Sequence, residues 1–203
     1  VLNDVWVVNP DGSGARMVSS GSATRDPAVS PDGRAVVYAE NRDLVVTNID
    51  GTGTRTITSG GHNDQFPAWA PDGKRLVFLR ADVGDLFIVN VDGTGLRQLT
   101  TDGTAFVELE PDWSPGGAFI AFHGSWNRAP LPMAGYNVTF VPFAGGKPGA
   151  REVFAAGFPG KTPLLSPNQA DARPGRLAVG PDGSLYIAED VKGKIWRVMY
   201  TGK

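Results

Sequence analysis

Two stretches of the 203-residue chain combine side chains that can bind a small molecule, and each contains one of the only two histidines. The first stretch is His62, Asn63, Asp64 and Gln65, and the second is HGSWNR, which contains His123, Trp126, Asn127 and Arg128. An imidazole titrates near neutral pH, a guanidinium binds carboxylates through parallel N–H donors, and an indole offers a flat stacking surface. These residue types predict a site for a polar, flat or anionic ligand.

The elements that position these stretches are repeats of about 40 residues. Residues 66–100 hold four short apolar segments separated by turn signals, in which proline presets φ and glycine is free to take φ > 0. The turn SPDG at Asp32 recurs as APDG at Asp72, as SPGG at Gly116 and as GPDG at residues 180–183. Repeats of this length with four strands each are typical of β-propellers. An irregular sandwich of short strands is the alternative.

The repeats predict one all-β domain over residues 1–203, a β-propeller of four to five four-stranded blades without helices longer than a turn or two. The chain starts with half a blade, at residues 5–8 and 15–18, and its last blade ends with residues 195–199 and no outer strand. Pairing of the N- and C-terminal strands would close the ring and remove the exposed edges. Assembly of two chains into one larger ring is the other option, so the oligomeric state is left open.

Two insertions indicate which face of the propeller carries a site. Loops between the second and third strands share one face with the links between blades, opposite the PDG turns, and ligands usually bind there. The second-to-third-strand loop spans residues 40–43 and 81–84 in two blades but 123–135 in the third, and the link 155–175 is also long. We therefore predict His62 and His123 on this ligand face, with Trp126 or Arg128 lining a pocket. Alternatively, the polar loops only cover a sheet edge, with Trp126 as packing.

Composition excludes several classes of function. The net charge is −2 and the basic residues are scattered, which argues against nucleic-acid binding. No apolar run is long enough to span a bilayer. Absence of cysteine excludes disulfides and thiolate metal sites, and the sequence lacks a phosphate loop, a GxSxG elbow and a zinc-type histidine pair. Because the chain starts at Val1 without a methionine, we expect that an export signal was removed.

Two family resemblances divide the sequence near residue 122. Residues 1–122 resemble TolB-type propeller repeats, on PAWAPDG, DLFIVNVDGTGLRQLT and their copies. Such repeats occur in binding scaffolds and in peptidases, so this resemblance implies a fold rather than an activity. Residues 122–200 resemble the C-terminal part of the PQQ-dependent sugar dehydrogenases of the sorbosone dehydrogenase type. The segments that carry this second resemblance are FHGSWNR, GYNVTFVPFAGGKP, RPGRLAVGPDGSLYIAED and GKIWRVMY.

The second resemblance implies a periplasmic or secreted quinoprotein that oxidises an aldose or related sugar. In that family a propeller holds pyrroloquinoline quinone (PQQ) and calcium, and a histidine base removes the sugar hydroxyl proton as hydride passes to the quinone. The resemblance makes His123 the candidate catalytic residue and places Trp126, Asn127, Arg128 and Arg173 at the cofactor. The family's N-terminal blades, which supply much of the cofactor and metal shell, have no counterpart here, so metal ligands are not assigned.

Two other functions fit the same sequence. One is a non-catalytic TolB-like propeller that acts as a binding or scaffold module for a small sugar or another polar molecule. The other is a hybrid propeller of purely structural interest, which the change of resemblance near residue 122 suggests.

Overall fold

The computed structural model describes residues 3–19, 23–101, 109–125 and 130–199. In these ranges the regular structure is β-strand, apart from one short 3-10 helix at Pro167–Gln169, so the all-β prediction is confirmed. The chain divides into two compact units, Val1–Gln98 and Leu99–Lys203. A helix suited to crossing a membrane is not found among the described residues. The prediction of a single domain stays a prediction.

The first unit contains a two-stranded ribbon followed by two four-stranded blades. The ribbon is β1 (Trp6–Val7) with β2 (Arg16–Met17). The first blade is β3 (Arg25–Val29), β4 (Ala35–Glu40), β5 (Asp43–Asn48) and β6 (Arg55–Thr56). The second blade is β7 (Asp64–Trp69), β8 (Arg75–Arg80), β9 (Asp85–Asn90) and β10 (Arg97–Gln98). Within the ribbon and within each of these blades, every strand pairs antiparallel with the next strand in the chain, as the turn signals predict.

The second unit contains a five-stranded and a three-stranded blade. The first of these is β11 (Leu109–Ser114), β12 (Gly117–Phe122), β13 (Asn137–Ala144), β14 (Lys147–Pro148) and β15 (Glu152–Ala155), with β14 and β15 both paired to β13. The other is β16 (Pro174–Val179), β17 (Leu185–Glu189) and β18 (Ile195–Val198). The described residues thus form four blades. A fifth blade and closure of the ring stay predictions.

A repeated bulge shapes the inner strands of the first unit. Asp26 and Phe66 have φ of 54° and 50°, and each precedes a proline. The ladder register shifts at both places, between Arg25 and Ala28 in β3 and between Gln65 and Ala68 in β7. Proline cannot donate to a ladder, and a bulge absorbs the residue that is left unpaired.

Neighbouring blades in the first unit are joined by side chains that bond to the backbone. Trp69 donates its indole N–H to the carbonyl of Ala28 at 3.0 Å and so links the second blade to the first. Arg55 in β6 donates to the carbonyl of Val91, just before the Asp-Gly turn of the next blade. Arg16 in β2 makes the same bond to Ile49 at 2.6 Å. The repeat therefore carries its own link to the following blade.

Candidate functional site

The first histidine lies in a network of exposed polar groups before β7. His62 Nδ1 is 2.7 Å from Asp82 Oδ2, and the backbone N–H of Asn63 donates to Asp82 Oδ1 at 2.9 Å. Arg25 donates to the side-chain oxygen of Asn63 at 3.1 Å. Since β7 begins after His62 and ends at the PDG turn, the histidine and that turn lie at opposite ends of this strand.

Asp64 lies inside the blade rather than on its surface. Its residue exposure is 0 %, and its two carboxylate oxygens accept hydrogen bonds from Arg80 Nε at 2.8 Å and Arg80 Nη2 at 3.0 Å. The Arg80 guanidinium also lies 4.5 Å from the centre of the Phe87 ring. Gln65 is half-buried and pairs with Leu79 in the ladder. The geometry gives Asp64 the role of a buried ion-pair partner.

A second carboxylate that the sequence did not single out stands near this ion pair. Asp43 closes the β4–β5 hairpin opposite Glu40, and its Oδ1 is buried without a hydrogen-bond partner among the described residues. Burial raises the pKa of Asp43, and the charge of Asp64 raises it further, against the opposing effects of Arg80 and Arg42. The Arg80 cation therefore interacts with two carboxylates, those of Asp64 and Asp43.

The second histidine belongs to a three-residue array in the second unit, which we name the His123–Asp190–Arg173 cluster. His123 Nε2 is 2.9 Å from Asp190 Oδ2. Arg173 donates from Nε to Asp190 Oδ1 at 2.9 Å and from Nη2 to Oδ2 at 3.1 Å. The His123 residue is 5 % exposed, whereas the Asp190 side chain is 48 % exposed. Two predicted site residues, His123 and Arg173, are brought together, and Asp190 links them.

The loop that carries Asp190 is organised by its neighbour. Glu189 is buried, and its carboxylate accepts hydrogen bonds from the backbone N–H groups of Val191, Lys192 and Lys194. Burial alone would raise the pKa of Glu189, but these three hydrogen bonds outweigh it and lower the pKa. A charged Glu189 therefore fixes the turn between β17 and β18 and holds Asp190 in place.

The long loop after β12 is pinned at its base. Ser125 N–H donates to the carbonyl of Ala134 at 2.9 Å, and the N–H of Ala134 donates to Ser125 Oγ at 3.0 Å. Gly124 has φ of 114° and lies against the ring of buried Tyr136. His123 follows β12, which begins at the SPGG turn, so the two lie at opposite ends of this strand. The predicted site residues Trp126, Asn127 and Arg128 lie outside the described residues.

The electrostatics of the cluster predict a dependence of stability on pH. Burial alone would raise the pKa of Asp190, but the hydrogen bond and charge of His123 and the charge of Arg173 lower it below 3.8. A carboxyl group whose pKa is lowered by folding stabilises the folded state above its unfolded pKa, and this contribution is lost as the pH falls through the folded pKa. The stabilisation is therefore complete at neutral pH and disappears in acid.

We expect Asp190→Asn to be less stable than the parent at neutral pH and to approach it as the pH falls through 3.8 and below. The reason is that both proteins then carry a neutral group at this position. Urea unfolding midpoints of the two proteins, measured from neutral to acid pH, test this. A constant difference at every pH would show that Asp190 does not carry the effect.

Within residues 3–19, 23–101, 109–125 and 130–199, no group of three or more His, Asp or Glu side chains is arranged to hold a metal ion.

Two solved TolB structures are similar to this chain. TolB from Acinetobacter baumannii is 17 % identical, with a TM-score of 0.63 over 95 % of this chain and 47 % of that chain. A putative TolB from Agrobacterium tumefaciens is 19 % identical, with a TM-score of 0.56 over 76 % of this chain and 59 % of that chain. At these identities the likeness shows the fold, and the TolB-like propeller prediction is confirmed at that level.

Two curated relatives match this chain over only part of their own length. Dipeptidyl-peptidase 5 of Porphyromonas gingivalis is 38 % identical over 73 residues, 31 % of this chain and 11 % of that protein. An uncharacterized protein of Agrobacterium fabrum is 26 % identical over 135 residues, 59 % of this chain and 46 % of that protein. The chain thus spans less than half the length of these relatives. The model of the family described as TrAA12-like matches residues 100–201, half of the 203 residues, and the chain belongs to the TrAA12-like family.

Proposed function

We propose that the chain is a non-catalytic, TolB-like binding propeller whose second unit binds a small hydroxylated molecule, such as a sugar, at the Asp190 carboxylate. The observation that carries the proposal is the combination of fixation and exposure at Asp190. Arg173 and His123 hold the carboxylate from one side, yet 48 % of its side chain remains open to solvent. A fixed carboxylate accepts hydrogen bonds from hydroxyl groups without a further loss of side-chain entropy.

The environment of His123 favours binding over catalysis. A general base must lie within hydrogen-bond reach of the proton that it removes. His123 Nε2 is bonded to Asp190, and its Nδ1 is buried. A substrate at the surface therefore meets Asp190 and not the imidazole. This arrangement gives His123 the role of a positioning residue for the carboxylate.

A quinoprotein sugar dehydrogenase is the second candidate, because the TrAA12-like match covers the same part of the chain as the sequence resemblance to those enzymes. The described residues do not make a complete quinone site. Two N–H donors of Arg173, Nε and Nη2, are bonded to Asp190, and no cluster of metal-ligating residues is present in the described ranges. Arg128, Trp126 and Asn127 stay candidates for cofactor contacts.

The binding proposal is tested by calorimetric titration of the protein with a panel of monosaccharides. We expect Asp190→Asn to weaken sugar binding by about ten- to a hundredfold, since a hydrogen bond to a charged group contributes about 1.5 to 3 kcal/mol. The control is Asp82→Asn, which changes the His62–Asp82 pair of the first unit and should leave sugar binding unchanged. The proposal fails if no sugar binds or if Asp190→Asn binds as well as the parent.

The second candidate has a separate readout. PQQ added with calcium to the purified protein should give a bound-quinone absorbance spectrum, and the loaded protein should reduce an artificial electron acceptor when an aldose is added. That result would favour the quinoprotein sugar dehydrogenase over the non-catalytic binding protein. We also propose that the protein is periplasmic or secreted. We further propose that the ring closes by pairing of residues 5–8 or 15–18 with residues 195–199.

A further inference from the structure

A concave site whose lining does not include His123, Asp190 or Arg173 lies within the second unit. It is a cleft of about 370 Å³ between the link at residues 155–172 and the hairpin formed by β17 and β18. Its lining is mainly apolar and includes Ile187 and Val198. Cavities of this size with a mainly apolar lining are typical of small-molecule sites.

One wall of the cleft is aromatic. Trp196 on β18 is 46 % exposed, and its ring meets Phe158 edge-on with centroids 6.3 Å apart. Both residues line the cleft. The edge-to-face contact holds the indole in one orientation, and the half-exposed indole offers a surface on which another aromatic ring can stack.

The rim of the cleft carries charges of both signs. Lys192 and Lys194 line it from the hairpin, and Lys194 Nζ lies 6.0 Å from the centre of the Trp196 ring. Glu189 also lines it, but its carboxylate is bonded to the backbone amides of its own loop. Asp171 lines the cleft from the link and is the other carboxylate there. A ligand that stacks on Trp196 thus has cationic groups beside the same ring.

We propose that this cleft binds a small aromatic carboxylate, with its ring against Trp196 and Phe158 and its carboxylate at Lys194 and Lys192. The inference does not rest on the proposed sugar binding, because the cleft shares no residue with the His123–Asp190–Arg173 cluster.

The test is calorimetric titration of the full chain with 2-naphthoate and, in parallel, with the uncharged 2-naphthylmethanol. We expect 2-naphthoate to bind more tightly than the alcohol. Lys194→Gln should weaken binding of 2-naphthoate by about two- to fivefold and leave the alcohol unchanged, since an exposed ion pair is worth little. Trp196→Ala should weaken both ligands by about tenfold through loss of the ring contact. Asp171→Asn should strengthen binding of 2-naphthoate, because it removes the like charge.

Matched controls separate these effects from changes in folding or net charge. Lys161→Gln removes one charge from the same unit outside the cleft, and Ile195→Ala removes apolar surface from a side chain that is 72 % exposed next to Trp196. Neither should change binding of 2-naphthoate. The inference is overturned if 2-naphthoate does not bind, if the alcohol binds as tightly, or if folded Lys194→Gln and Trp196→Ala variants bind like the parent.

Discussion

Replacement of Arg80 by alanine is expected to lower the free energy of unfolding of the first unit by about 3 to 5 kcal/mol. Arg80 makes two hydrogen bonds to the carboxylate of Asp64, which has no exposed surface. Without the guanidinium, Asp64 is left as an uncompensated buried charge near Asp43, whose pKa is already raised by burial and by Asp64. The loss should appear as a lower urea midpoint.

The matched control is Arg75→Ala in the same strand. Arg75 also pairs with an aspartate, Asp72, but that carboxylate is exposed, so the change should cost less than about 1 kcal/mol. A double variant with Asp64→Leu and Arg80→Met should recover most of the stability, because apolar residues of similar size can replace a buried ion pair. If Arg80→Ala unfolds at the same urea concentration as Arg75→Ala, the buried pair does not stabilise the fold.

Replacement of Gly124 by alanine should also have a large effect and destabilise the second unit by about 3 kcal/mol. Two costs add up at this position. A Cβ there would lie 2.3 Å from Tyr136 Cε1, and overpacking against a buried ring costs about 1 to 3 kcal/mol. Its φ of 114° adds about 1 to 2 kcal/mol of backbone strain for any residue with a side chain. Urea unfolding measures the sum.

Gly183→Ala separates the two costs. Gly183 also has a positive φ, 78°, but a Cβ built there has no atom within 4 Å. Only the strain remains, so this change should cost about 1 kcal/mol. Equal destabilisation by the two substitutions would mean that Tyr136 moves aside and that the base of the loop is not tightly packed. Because His123 precedes Gly124, the Gly124→Ala variant should also show weaker binding of any ligand at Asp190.

The strands could be predicted closely because their signals are local. Proline and glycine in the PDG and DG turns fix the chain reversals, and strands begin and end within a residue of the predicted limits, as at β1, β2 and β18. The extra hairpin strand β14 was not predicted, since it is two residues long and includes Pro148. A short pairing with a proline carries little pattern in the sequence.

The site could be predicted only in part because its contacts are distant in sequence. His123 and Arg173 were singled out, but their link through Asp190 joins positions 67 residues apart. Asp64 was expected on the ligand face from its neighbours in the HNDQ run, and the structure buries it against Arg80 instead. A strand alternates its side chains between two faces, so adjacent polar residues do not share one surface.

The arginine bonds between blades in the first unit bear on how such an array can grow by gene duplication. Arg16 and Arg55 both donate to a main-chain oxygen of the following blade, at Ile49 and Val91. Every residue type has that acceptor, so the receiving position can change its side chain without loss of the bond. A newly duplicated blade therefore docks on its neighbour before any compensating mutation arises, and the two copies can then diverge independently.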